Sequence, residues 1–166
     1  PARPRVEETL RAWYPIITPG ELVRVAEHVD AYCSSPLAER IAALGGARPE
    51  RPFAFEVHGA LLRGRLDVLW RDGARALILD YKTNVLEDAT PSEVVEREYR
   101  IQRLVYALAI LRAGASEVEV VYQFLERPSD LVTDCYKAEE VSALETELSA
   151  AIAAIQAGEF KPTPSE

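Results

Sequence analysis

With 166 residues, 48% of them hydrophobic and 28% charged, the chain has the content of one globular domain with a real core, and its composition excludes a disordered or collagenous segment. A formal charge of −8 argues against a free-standing nucleic-acid binder, because phosphate contacts call for clustered Lys and Arg. No apolar run reaches the roughly eighteen residues a membrane span needs and no basic-then-apolar leader precedes a cleavage site, so a soluble cytoplasmic protein with no membrane partner is expected.

The first elements are helical. VEETLRAWY has helical spacing of its apolar residues, and in ITPGELVRVAEHVDAYCSSPLAERIAAL two start signals stand in succession, Thr18-Pro19 and Ser35-Pro36, with a stop at Gly45-Gly46. From Pro52 the period changes. FAFEVHGALLRGRLDVLW and ARALILDYKT read as strands, and Asp72-Gly73 is a tight-turn signal between the last two, which makes an antiparallel meander. ATPSEVVEREYRIQRLVYALAILRAG then predicts one long helix, with Thr90 and Glu93 as a capping box around Pro91 and Gly114 as the stop. EVEVVYQFLE is a further buried strand, LVTDCYKA a weaker one, and AEEVSALETELSAAIAAIQAGEF closes the chain with a helix stopping near Gly158. The order α-α-β-β-β-α-β-(β)-α defines an α/β domain with a mixed sheet flanked by helices.

The organisation expected is a single domain over 1–166, with a helical part over 1–46, a core over 52–127 and a closing helix over 138–158. The absence of Met, the opening PARPRVEETL and the polar KPTPSE at the end point to a piece of a longer protein. Cys33 and Cys135 lack CxxC or Cys/His spacing and read as two buried thiols in a reduced compartment.

Charge inside the apolar strands marks the candidate site. A hairpin centred on Asp72-Gly73 sets Asp67 opposite Ile78 and Arg65 opposite Asp80. Ile78, Asp80 and Lys82 then share a face, which Asp67 joins. The two aspartates become diagonal neighbours roughly 7 to 8 Å apart at the backbone, within reach of one small cation. Two carboxylates, a backbone carbonyl and waters suit Mg²⁺ or Mn²⁺, and soft ligands are absent. Lys82, about 6.6 Å along the strand from Asp80, could touch a phosphate or a water on the metal. These parts suit phosphodiester hydrolysis, in which a metal makes hydroxide available near neutral pH. From spacing alone the alternative is a salt-bridge cluster with Arg65 and Lys82 and no chemistry.

The segments GRLDVLW and LILDYKT resemble the G-x-x-D and D-Y-K-T motifs of the PD-(D/E)XK superfamily, and specifically its RecB-like nuclease domains attached to UvrD/Rep-type helicases. QRLVY on the long helix is similar to that family's Q-x-x-x-Y motif. The resemblance implies a restriction-endonuclease-like core and a Mg²⁺- or Mn²⁺-dependent DNA exonuclease or endonuclease. Asp67 and Asp80 become metal ligands, Tyr81 offers its carbonyl, Lys82 is the catalytic lysine, and Gln102 and Tyr106 support from the helix, one turn apart. It implies as partners DNA, a helicase domain of the same parent chain and a second helicase-nuclease subunit, with a role in DNA repair and recombination.

Two departures stand out. The family's upstream Gly-x-x-x-His segment is missing; His28 and His58 read as ordinary surface residues, and the histidine helix is expected upstream of Pro1 in the parent. GEFKPTP resembles the run into an iron-sulfur segment, but Cys33 and Cys135 do not supply its ligands, so no cluster is expected in this fragment, whatever the parent holds. Glu56 is a further acidic group to consider, with a solvated strand charge as its plainer reading. The alternative function is a nuclease-like DNA-binding or scaffolding module without turnover, favoured by the missing histidine and the negative charge. A carboxylate-pair glycosidase has no use for the Asp-x-Lys adjacency.

Overall fold

A computed structural model describes residues 5–158. Three helices lead in: α1 (Val6–Trp13), α2 (Pro19–Cys33) and α3 (Pro36–Leu44). The two start signals work as capping chemistry dictates. Thr18 accepts from the Glu21 N–H while Glu21 accepts from the Thr18 N–H, and Ser35 accepts from the Ala38 N–H, with Pro19 and Pro36 each at the first turn, where a missing donor costs nothing. Neither α1 nor α2 contains a buried residue, whereas α3 buries Leu37, Ala38 and Ile41.

Five strands follow in the spatial order of the sequence: β1 (Arg48–Val57), β2 (Ala60–Asp72), β3 (Arg75–Lys82), β4 (Glu117–Phe124) and β5 (Val132–Lys137). β3 and β4 are parallel and the other neighbours antiparallel. The sheet is therefore mixed, as expected for this α/β order. β1 begins at Arg48, earlier than the Pro52 onset read from periodicity; as an edge strand it tolerates Pro49 and Pro52, whose missing N–H groups break no ladder. His58 (φ 47°) and Gly59 (φ 77°) form the β1–β2 turn, both left-handed as a type I′ turn demands.

The β2–β3 register differs from expectation. Asp72 pairs with Arg75, Leu69 with Ile78 and Val68 with Leu79, so Gly73 and Ala74 are the loop. Gly73, at φ 55°, takes the first central position that only glycine occupies cheaply, and Asp72 closes the ladder in place of turning it. The correction moves the pairing by two residues. Parity is kept, so the expected face is right, but Asp67 lies in line with Asp80, and neither Ile78 nor Arg65 faces the residue expected.

The sheet has apolar layers on both faces. Ile78, Val118, Val120 and Tyr122 pack with the long-helix residues Leu104, Ala107, Leu108 and Leu111 and with Leu144 and Leu148 on one side; Leu77, Leu79 and Val121 meet Leu37 and Ile41 of α3 on the other. The pleat of β2 changes hand midway: Leu62 and Leu66 join the first layer, while Val68 and Trp70 join the second. Asp67 sits at that switch, across from Glu50, whose φ of 53° marks the matching distortion in β1.

The long helix is also corrected. The Thr90–Glu93 capping box opens α4 (Pro91–Val94), a wide π turn follows over Val95–Tyr99, and α5 (Arg100–Arg112) carries on to Gly114, at φ 91°. The closing helix is a 3₁₀ turn, Ala138–Glu140, followed by α6 (Val141–Gln156). The KPTPSE end and most of GEFKPTP lie outside the described residues. Among the described residues no helix is long and apolar enough to cross a membrane.

Candidate active site

The ladder between β2 and β3 ends at Val68 and Leu79, and the site occupies the opening beyond it. The Asp67 Oδ2 bridges that opening by accepting the Tyr81 N–H at 2.9 Å. The Lys82 carbonyl accepts from the Leu125 N–H, pointing toward β4; because successive carbonyls alternate sides along a strand, the Tyr81 carbonyl points back toward β2, beside Asp67. Asp80 is 3% and Lys82 8% exposed. Charges buried this deeply persist only with partners.

Those partners are found on α5 and within β3. The Tyr106 O–H donates to Asp80 Oδ1 at 2.9 Å. Lys82 Nζ lies 2.7 Å from Asp80 Oδ2 and donates to Gln102 Oε1 at 3.0 Å. The Lys82–Asp80 contact has ion-pair distance without hydrogen-bond alignment, so Asp80 Oδ2 is a buried acceptor with no hydrogen bond of its own. Phe53 meets the Tyr106 ring edge-on at 5.9 Å and fixes it. Gly64 makes that packing fit, since a Cβ there would come within 2.7 Å of the Phe53 ring.

Electrostatics follow from this crowding. Burial raises the Asp67 carboxyl above the ordinary aspartate range; the Tyr81 N–H pulls it down, and the negative charges of Asp80 and Glu50 push it up again. Burial, followed by the charge of Asp80, raises the phenols of Tyr106 and Tyr122, which keeps Tyr106 a donor.

The structure brings Asp67, Asp80, Tyr81, Lys82, Gln102 and Tyr106 together. Arg65 is elsewhere: it pairs with Glu50 at 3.0 Å in an exposed ion pair, so the salt-bridge cluster imagined around it does not form. His58 is part of a turn, His28 on α2 lines an apolar cavity of about 630 Å³ beside Tyr32 and Ile41, and Glu56 is exposed on β1. The cysteines depart from expectation: Cys33 is half-buried and Cys135 exposed on the edge strand β5, so neither is a core thiol. Sequence reasoning passed over Tyr99 and Tyr122. The Tyr99 ring centre lies 3.7 Å from Lys82 Nζ and the Tyr122 ring centre 5.4 Å. Tyr99 stands three residues before Gln102 and seven before Tyr106, on the same stripe of the helix, and that spacing was the available signal.

A divalent cation fits this donor set. Among the described residues no three His, Cys, Asp or Glu side chains cluster as a metal group. Two carboxylates and one carbonyl, all hard oxygens, are nevertheless the partial shell that Mg²⁺ accepts when water completes it, and the unsatisfied Asp80 Oδ2 is aimed at the opening.

A mixed α/β sheet that opens between two strands to expose paired carboxylates and a lysine defines a nuclease-type core. The PD-(D/E)XK nuclease superfamily model matches residues 4–166, and the chain belongs to that superfamily. It is 29% identical over 141 residues to an ATP-dependent helicase/nuclease protein of Pelotomaculum thermopropionicum, an alignment covering 76% of this chain and 11% of that protein. The chain thus spans about a tenth of the relative it matches. Among solved structures, a protein named as a candidate exonuclease from Eubacterium rectale shares the fold, with a TM-score of 0.56 at 15% identity over 96% of this chain and 65% of that one.

Proposed function

We propose that this chain is the DNA-cleaving domain of an ATP-dependent helicase-nuclease, hydrolysing phosphodiester bonds with Mg²⁺ or Mn²⁺ in DNA repair and recombination in the cytoplasm. The observation that carries the reading is the opening beyond Val68 and Leu79, where Asp67 and Asp80 face one another beside an acceptor oxygen without a hydrogen bond and a buried lysine. Asp67, Asp80 and the Tyr81 carbonyl would hold the ion. A divalent ion there supplies Lewis acidity, offsetting charge on the phosphodiester and easing deprotonation of water. Lys82 stabilises the attacked phosphate or orients the water, Gln102 positions the Lys82 ammonium, and Tyr106 orients Asp80. Its proposed partners are the helicase domain of the same parent chain and a second helicase-nuclease subunit, an association that the name of the Pelotomaculum relative supports. A strand delivered by a motor removes the need for a basic surface on a chain of charge −8.

Calorimetry with Mg²⁺ or Mn²⁺ tests the assignment: wild type is expected to bind, and Asp67→Ala and Asp80→Ala to lose the heat. Binding that survives in both variants refutes it. The missing Gly-x-x-x-His segment favours a second reading, a DNA-binding scaffold without turnover. Strand degradation by the full parent protein separates the two: Lys82→Ala is expected to abolish it, and equal rates would favour the scaffold.

A further inference from the structure

Lys82 sits in a setting that the acidic groups alone do not explain. Its ammonium lies against the face of the Tyr99 ring, and the Tyr99 and Tyr122 rings are stacked 25° from parallel with centres 6.0 Å apart. Tyr99 is itself anchored, its O–H donating to Asn84 Oδ1 at 2.8 Å just beyond β3. It is also the last residue of the π turn, with φ −116° and ψ 3°, outside helical values. Wide turns of this kind insert one residue into a helix, which moves the preceding face by about 100°. Here the insertion falls where the helix passes over Lys82.

We propose that Tyr99 is a positioning residue whose ring face, backed by Tyr122, holds the Lys82 ammonium in the site while Asp80 is engaged by a cation. The inference rests on the nuclease reading above. In the structure Asp80 is the carboxylate partner of Lys82, and Gln102 Oε1 is a neutral acceptor. With Asp80 Oδ2 committed to a divalent ion, Lys82 keeps no anionic partner and is repelled by the new positive charge. A ring face attracts an ammonium through its quadrupole, most strongly where water is excluded, and has no charge to be neutralised by the ion. Gln102 and the Tyr99 ring therefore keep the lysine in place when its carboxylate is taken.

Lys82, Lys137 and Lys161 are the lysines of the chain, so isotope-labelled lysine gives few enough NMR signals to assign by substitution. Protons beside a ring face are shifted upfield. The Lys82 Cε protons are expected upfield of those of the other two lysines, to remain so at saturating Mg²⁺ and in Tyr99→Phe, and to lose the shift in Tyr99→Leu. In strand degradation Tyr99→Leu is expected to lower kcat about tenfold with KM little changed, and Tyr99→Phe to restore the rate. An ordinary Lys82 position in the wild type, its loss when Mg²⁺ is added, or an unchanged shift in Tyr99→Leu overturns the proposal. The wild-type spectra need no variant, so misfolding of Tyr99→Leu leaves the test standing. Unchanged degradation in Lys82→Ala would remove the nuclease reading instead, without altering the ring shift.

Discussion

Asp67 is held where its own charge is disfavoured. Burial and the negative charges of Asp80 and Glu50 outweigh the help it takes from the Tyr81 N–H, so its carboxyl is raised above the ordinary range. A folded state that holds a proton more tightly than the unfolded chain loses stability as pH rises from the unfolded value of about 3.9 through the raised folded value, and the penalty persists above it. Asp67→Asn removes the charge yet keeps an oxygen to accept the Tyr81 N–H. In chelator, the variant is expected to melt at a higher temperature than wild type near neutral pH, with the gap closing as pH falls toward the unfolded value. Added Mg²⁺ should raise the melting temperature of wild type only, since a ligand stabilises the state that binds it. Thermal unfolding across pH checks both, and a less stable variant at neutral pH in chelator would contradict the electrostatic account. At this scale the sequence was most legible where polarity broke an apolar pattern, at Asp67, Asp80 and Lys82. Tyr99 and Tyr122 escaped notice because an aromatic residue on a helix stripe or a strand face looks the same whether it fills a core or cradles an ammonium.

Among the elements, capping boxes and the two-residue alternation of strands could be read in advance because each depends on neighbouring side chains. The β2–β3 register could not be read to the residue, because Asp-Gly admits a loop that begins at the aspartate or at the glycine, and the choice depends on where the positive φ falls. The π turn left no mark either, since Val95–Tyr99 keeps the apolar spacing of an ordinary helix while its backbone widens. The pleat switch at Asp67 and Glu50 likewise comes from two strands distorting together, which no single segment announces. One consequence can be tested at Gly64. An alanine Cβ there would meet the Phe53 ring, which is held between Phe55 and Tyr106. Gly64→Ala is expected to lower stability by about 1–3 kcal/mol in urea unfolding, as overpacking does. Adding Phe53→Leu should recover part of the loss, because touching residues are not additive. Full additivity of the two changes would show that the ring and the glycine are independent.

For the whole molecule, charge decides what the chain can do unaided. Many of its arginines are already committed within the fold: Arg40 to Glu119, Arg65 to Glu50, Arg100 to Glu96 and Glu147, Arg103 to Glu96 and Asp134, and Arg112 to Glu145. With the net charge at −8, little positive surface is left to displace counterions from a phosphate backbone, which is the source of most non-specific affinity and of its salt dependence. A domain built this way relies on whatever tethers it to raise the local concentration of the strand, and tethering acts without any new contact. The 166-residue chain alone, in Ca²⁺ to limit cleavage, should therefore bind single- or double-stranded oligonucleotides more weakly than the usual non-specific range of about 10⁻⁴ to 10⁻⁶ M. The slope of log K against log salt should be shallow, with a magnitude under about 3. Fluorescence anisotropy over a salt series measures both quantities. A steep slope with tight binding would mean that a phosphate-binding surface exists on this domain itself, and a motor would no longer be needed to explain how an acidic nuclease domain holds its substrate.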